Sequence, residues 1–423
     1  MDPFIAPRFN LALNWTADIL MPVFLKTIHN ITEVVISDPD KEMLRKLHGK
    51  RVLFFTNHPS NAEPTIAFYV GNVIGSRFRY MASRQIFDWG YGLFGKILAN
   101  VGAFSVIAGI NDRESLKTAR SILCEKNGKL VVFPEGEPTS GENDTLMPIQ
   151  EGLASLGFWA LEDAKEIDNK ADIVLLPGFI KYVLDAPREV IMEDLIKSIS
   201  RMEARYSIQA GNKNLLRRYL TVGKYILLEV EGEYGIENAD AGSFDYRIGR
   251  VRHTILDRIA EKLKPPNYDK NADAIQKLRI IFALLEMIII DYPDPKLPRL
   301  KEDELSYYKR EAIKAYDFIV IKREYLLSYP TAERFYEWNS RFESYLFGET
   351  PRALGGVANH LPRKAYISFS EPYSLDKYYK DYKKSKKNTI DLLINSLRND
   401  LHSTLDHSLK LSEPLVKPYD LGE

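Results

Sequence analysis

Two short stretches of this chain place acid–base side chains directly after apolar runs: RVLFFTNHPSNAE at residues 51–63 and KLVVFPEG at 129–136. In the first, His58 follows the run and Glu63 comes five residues later. If the run is a strand and Glu63 opens a helix, one imidazole nitrogen donates to the carboxylate and the other stays unprotonated as a base. The plainer alternative has His58 capping a turn and Glu63 complementing a helix N-terminus. In the second stretch, Pro134, Glu135 and Gly136 close the run, bringing a carboxylate and a permissive glycine to the same kind of sheet edge. Glu135 would either accept from a substrate hydroxyl or hold the backbone of its own loop. Gly102 and Pro177 sit at similar boundaries, where a structural role serves as well as a ligand contact.

The elements that must position these residues are readable around them. RVLFF (51–55), KLVVF (129–133) and DIVLLP (172–177) are short apolar runs bounded by turn residues and read as strands. Helical patterns separate them: one from Pro64 to about residue 72, one after Asn111 or Asp112 with Gly128 as stop, and one at 151–167. Such βα repetition predicts an α/β fold, with a mostly parallel or mixed central sheet flanked by helices. From about 190 to 360 long, charged, tyrosine-rich helical patterns take over, broken by DYPDPKLPR at 291–299, and predict a large mainly helical insertion or C-terminal region. The expected organisation is an N-terminal amphipathic helix and lead-in (1–50), an α/β core (51–190), a helical insertion or second domain (191–360), and a segment holding a returning core strand, AYISF at 365–369, and a charged tail (361–423).

Bulk properties narrow the function. The 423 residues carry 58 basic and 58 acidic side chains, so no net charge argues for a nucleic-acid partner. A single cysteine, Cys124, excludes an intrachain disulfide and a cysteine-rich metal site, and its simplest role is packing. The motifs G-x-S-x-G, H-E-x-x-H and G-x-x-x-x-G-K-[ST] do not occur. The start of the chain does not have the pattern of a secretory signal. Residues 9–28 are strongly apolar but contain Asp18 and Pro22; they read either as a helix lying on a membrane, with Trp15, Leu20 and Phe24 inward, or as a helix packed on the core. The run at 278–290 reads as a buried helix.

Together the two motifs resemble the glycerolipid acyltransferase family, which contains the glycerol-3-phosphate and lysophosphatidate acyltransferases. NHPSNAE (57–63) matches its histidine block with Glu63 in place of the usual aspartate, FPEG (133–136) matches its third block in full, and IVLLP (173–177) is similar to its fourth. The resemblance covers roughly residues 50–180, and AYISFSEP (365–372) is similar to the family's closing strand. It implies transfer of a fatty acyl group from an acyl-CoA or acyl-carrier-protein thioester to the hydroxyl of a glycerolipid-like acceptor, lysophosphatidate among the candidates. His58 would be the base and Glu63 its partner, with Glu135, Gly136, Pro134 and Arg113 at the acceptor. It implies no metal or bound cofactor, a lipid or lysolipid partner, and a peripheral place on the cytoplasmic face of a membrane, or otherwise in the cytoplasm. The departures concern phosphate: Ile107 and Ala108 stand where the second block has arginine, and Glu137 and Pro138 follow FPEG where threonine and arginine are usual. Arg77, Arg79, Arg84 and Arg113 are the candidate replacements. A lipid-binding scaffold without turnover and an acyl-thioester hydrolase are the competing readings.

Overall fold

The computed structural model describes residues 4–107, 110, 112–136, 143–237, 243–349 and 360–421. In chain order it begins α1 (Leu11–Ile28), β1 (Ile31–Ile36), α2 (Asp38–Arg45), β2 (Arg51–Thr56), α3 (Glu63–Ile74) and β3 (Arg79–Ser83). A 3₁₀ turn (Arg84–Asp88) leads to α4 (Leu93–Asn100), β4 (Ala103–Val106), α5 (Arg113–Cys124), β5 (Lys129–Val132), α6 (Gly152–Ile167) and β6 (Ile173–Leu184). The helices α7 (Arg188–Arg205), α8 (Leu215–Glu233), α9 (Phe244–Leu263), α10 (Ala274–Ile289), α11 (Glu302–Val320), α12 (Arg323–Ser328) and α13 (Ala332–Phe347) follow. The chain ends with β7 (Arg363–Phe369), β8 (Tyr373–Ser374), α14 (Asp376–Lys384) and α15 (Lys386–Leu409). Two compact units result. The first runs to Val183 and resumes over Pro362–Lys410; the second holds Leu184–Leu361 and Leu411–Glu423.

The first unit is the α/β fold its alternating pattern predicts. Its strands take the order β1-β7-β6-β2-β5-β3-β4, with β8 beside β6. The β1–β7, β6–β2, β2–β5, β5–β3 and β3–β4 pairs are parallel and β8 is antiparallel. Strands β2, β5 and β6 are apolar without alternation because both faces of the sheet are covered. One face packs on α3 through Ile66, Ala67 and Val70, and on Leu25, Phe87 and Ala99; the other packs on α5, α6 and α15. Parallel pairing puts the C-terminal ends of β2, β5, β3 and β6 on one edge, so the turns after them converge there.

Two segments differ from their sequence expectation. Strand β6 continues through Pro177 and Gly178 to Leu184, because Pro177 and Gly178 lie opposite Phe55 and Thr56 in the β2 pairing rather than ending it. The lysine-rich C-terminal stretch forms α14 and α15: Tyr382, Leu393, Leu397, Leu401 and Leu405 bury one stripe against the core while the lysines face solvent.

The second unit is helical and built around α13. Residues 332–343 of that helix are all buried although more than half are polar or charged. Several are met by side chains of other helices: Tyr219 donates to Asn339 (2.7 Å), Ser198 to Glu343 (3.0 Å) and Tyr325 to Glu337 (2.6 Å), and Arg341 pairs with Asp317 (3.1 Å). Arg218 forks onto Glu203 with bonds of 3.0 and 2.7 Å. The 278–290 run lies in α10, with Leu278, Ile281, Leu284 and Leu285 buried.

Candidate active site

Three side chains named from sequence meet at the C-terminal edge of the sheet: His58, Glu63 and Glu135. His58 leaves the end of β2. Its position is set by Asn57, whose amide continues the β2–β6 ladder where the strands part: Oδ1 accepts from the Ile180 N–H (2.8 Å) and Nδ2 donates to the Ile180 carbonyl (2.9 Å). Glu63 opens α3, where Pro64 costs no helical hydrogen bond. Five residues thus span from strand end to first helical turn, and the His58 Nδ1 comes within 2.7 Å of Glu63 Oε2.

The Glu63 carboxylate is fully buried and ringed by donors. Ser60 supplies its N–H to Oε2 (3.0 Å) and its hydroxyl to Oε1 (2.9 Å), and the Tyr182 hydroxyl donates to Oε1. Three donors besides His58 hold this buried carboxylate as an acceptor, which places a ring proton of His58 on Nδ1, facing it. Tyr182 itself stays protonated: burial first, and the Glu63 charge second, hold its phenol well above the usual range. The imidazole lies on Phe133, with ring centroids 4.2 Å apart and planes 25° from parallel, and keeps only 11% of its side-chain surface exposed. The imidazole is thus held on one side by the Glu63 carboxylate and on its face by the Phe133 ring.

Glu135 is buried and meets His58 through the backbone. Its Oε2 accepts the His58 N–H and its Oε1 accepts the Met147 N–H, each at 3.0 Å. One carboxylate therefore joins the β2 turn to the segment before α6. Burial pushes its carboxyl up to about 7, against the lowering pull of the two N–H bonds. Pro134 is buried and its carbonyl accepts from the Gln150 N–H (3.1 Å). Gly136 is exposed at φ +95°, a conformation that favours glycine, and a Cβ there would stand 2.5 Å from Gln150 Nε2.

Of the candidate arginines, Arg84 and Arg113 follow the C-terminal ends of β3 and β4. Arg113 is exposed at the start of α5, behind the Asp112 cap. Arg77 is taken by Asp18 and Asn72, Arg84 by Asp88 (2.7 Å), and Arg79 lies over the Phe9 ring at 4.6 Å. Ile107 is buried, its N–H on Asp112 (3.1 Å); Ala108, Glu137 and Pro138 lie outside the described residues. Cys124 is half-buried in α5, its thiol pushed up by burial, with Sγ 3.6 Å from the Ala160 carbonyl. Among the described residues no group of three or more His, Cys, Asp or Glu side chains is arranged to hold a metal.

Sequence reasoning missed the groups that come from afar. Tyr182 reaches Glu63 across 119 residues. Asn143 clamps the backbone of Tyr182, accepting its N–H (2.8 Å) and donating to its carbonyl, and the fully buried Lys181–Asp144 pair lies beside it. Asn57 and Ser60 were within the quoted motif; their polarity at a strand end was the available signal.

Residues 35–177 match the family model described as Acyltransferase. The matched span starts in β1, contains His58, Glu63 and Glu135, and ends at the middle of β6. No curated protein matches the chain. The family match supports acyl transfer as the general activity, with a lipid-type substrate.

Proposed function

With residues 35–177 assigned to a glycerolipid-acyltransferase-like family, we propose that this protein is an O-acyltransferase whose general base is His58. The observation that carries the reading is the 2.7 Å contact from His58 Nδ1 to the buried, four-donor Glu63. In the reaction, His58 Nε2 takes the proton of an acceptor hydroxyl as its oxygen attacks the carbonyl of an acyl-CoA or acyl-carrier-protein thioester. The new C–O bond forms, the C–S bond breaks, and the leaving thiolate takes the proton back from the imidazolium. Glu63 does not accept that proton; it steadies the charged ring and fixes its orientation, and Tyr182 and Ser60 steady Glu63. Glu135 keeps the His58 turn in place.

The acceptor is a glycerolipid-like alcohol. Phosphate on it is not needed for recognition by Arg77 or Arg84, both already engaged with acidic side chains. Lysophosphatidate and phosphate-free acceptors are therefore both substrates to test. The reaction is placed at the cytoplasmic surface of a membrane, peripherally, where such an acceptor resides.

The test is product identification by mass after incubation with long-chain acyl-CoA or acyl-acyl-carrier protein. The acceptors are lysophosphatidate, glycerol 3-phosphate and monoacylglycerol. An acylated acceptor supports the assignment and shows whether phosphate is required. Free fatty acid without acylated product makes the protein a thioester hydrolase. No thioester consumption with any pair, by protein that still binds lipid, leaves a scaffold.

A further inference from the structure

Large apolar side chains are exposed in two places on the first unit, and the fold joins them. Along α1, Trp15 (61% exposed), Ile19 (77%), Leu20, Val23 and Ile28 face outward. Between the 3₁₀ turn and the end of α4, Trp89, Tyr91, Leu93 (64%), Phe94 and Ile97 do the same. Both segments cover the same face of the sheet, since Leu25, Met21 and Ala17 of α1 pack into one hydrophobic cluster with Phe87, Leu98 and Ala99. They also meet: the Arg8 N–H donates to the Ala99 carbonyl (2.8 Å), the Asn10 N–H to the Asn100 carbonyl (2.9 Å), and Asn14 Nδ2 to the same Asn100 carbonyl (3.4 Å).

We propose that α1 and the Trp89–Ile97 segment form one docking face for an anionic lipid bilayer. Charge selects this occupant. Within residues 4–28 and 84–100 the acids are Asp18 and Asp88, engaged by Arg77 and Arg84, whereas Arg8, Lys26 and Lys96 are exposed. An apolar surface with unneutralised cations complements anionic headgroups above acyl chains. Trp15, Trp89 and Tyr91 are the side-chain types that settle at a membrane interface.

The face lies on the bilayer rather than through it. α1 is long and apolar enough to cross a membrane by length and composition. It is nevertheless tied down by polar bonds, from Asn14 to Asn100 and from Asn72 Nδ2 to Asp18 (2.8 Å), together with the Asp18–Arg77 pair. Crossing would strip these groups from their partners and leave them in hydrocarbon. The 3₁₀ turn begins where β3 ends, on the sheet edge that carries His58, and α4 ends where β4 begins, on the opposite edge, so the segment crosses the sheet from one edge to the other.

The test uses the full chain with phosphatidylcholine vesicles, with and without phosphatidylglycerol. One variant replaces Trp89, Tyr91 and Leu93 by serine, a second changes Ile19→Asp and Val23→Asp, and circular dichroism verifies the fold of each. Because each large apolar side chain inserted is worth about one to two powers of ten in partition, each variant should lower binding to phosphatidylglycerol-containing vesicles at least ~10-fold. Brominated lipid should quench both Trp15 and Trp89, resolved with Trp15→Phe and Trp89→Phe. The proposal is overturned by wild-type binding of the Trp89/Tyr91/Leu93 variant or by unquenched Trp89 in bound protein. Resistance to alkaline carbonate extraction, which marks a spanning α1, would also overturn it. So would failure to bind vesicles by a protein whose self-association these substitutions abolish. Docking is independent of turnover: vesicle binding without thioester consumption leaves this inference standing and removes the acyltransferase reading.

Discussion

At the residue scale, the central feature is a histidine whose tautomer is dictated by a carboxylate that is itself held by three other donors. His58 and Glu63 were legible together because a strand end, a short turn and a helix start bring residues five apart into contact. Tyr182 and Asn143 were not legible, because their partners are fixed by sheet pairing rather than by neighbours in sequence. The Tyr182 hydroxyl donates to a buried charge, an interaction worth about 1.5–3 kcal/mol. Tyr182→Phe should therefore lower kcat about 10-fold or more with little change in KM for the thioester; an unchanged kcat would remove Tyr182 from the positioning of Glu63. Glu135 makes a pH prediction. Burial raises its carboxyl to about 7 from an ordinary value near 4.5, so between these values the folded state holds a proton that the unfolded state has lost. Its contribution to stability is greatest in acid and is lost as pH rises through that window. Urea denaturation of the wild type against Glu135→Gln, which cannot titrate, should show the wild type losing ground from about pH 4.5 to 7. A wild type that gains ground instead would mean the His58 and Met147 N–H bonds outweigh burial.

At the scale of elements, apolar runs marked β2, β5 and the start of β6, and their repetition with helical patterns between them indicated a sheet flanked by helices. What local pattern does not encode is neighbour order. Residues 365–369 read as β, but nothing in them says that β7 lies between β1 and β6, a place set by the apolar faces it completes. Pro177 and Gly178 hid the second half of β6, since turn-forming residues inside a strand look like its end. The lysines of α14 and α15 hid a buried stripe. Ala365 and Ile367 of β7 are buried in the sheet's core, whereas Lys364 is half-buried and pairs with Glu33 at 3.2 Å. Ile367→Asp, which buries an unpaired carboxylate, should destabilise the protein by several kcal/mol, and Lys364→Ala should stay within about 0.5 kcal/mol. Equal denaturation midpoints for the two variants would contradict the placement of β7 in the sheet.

At the scale of the whole molecule, sequence was most informative where the chemistry is local and least where charges are buried together. The helical texture of the second unit was plain, but its charged pattern does not mark α13 as a buried helix, several of whose polar side chains meet groups on helices distant in sequence. The family match stops at residue 177, so the acyltransferase reading rests on the edge of one sheet. The most direct test of that reading is acceptor-dependent thiol release from long-chain acyl-CoA by wild-type protein and by His58→Ala, with circular dichroism establishing that both are folded. The account predicts a loss of about 10²–10⁴-fold in kcat for His58→Ala, the usual range for a general base, with the acylated product falling in proportion. Equal turnover by the two folded proteins would contradict it, and would take the reaction away from His58.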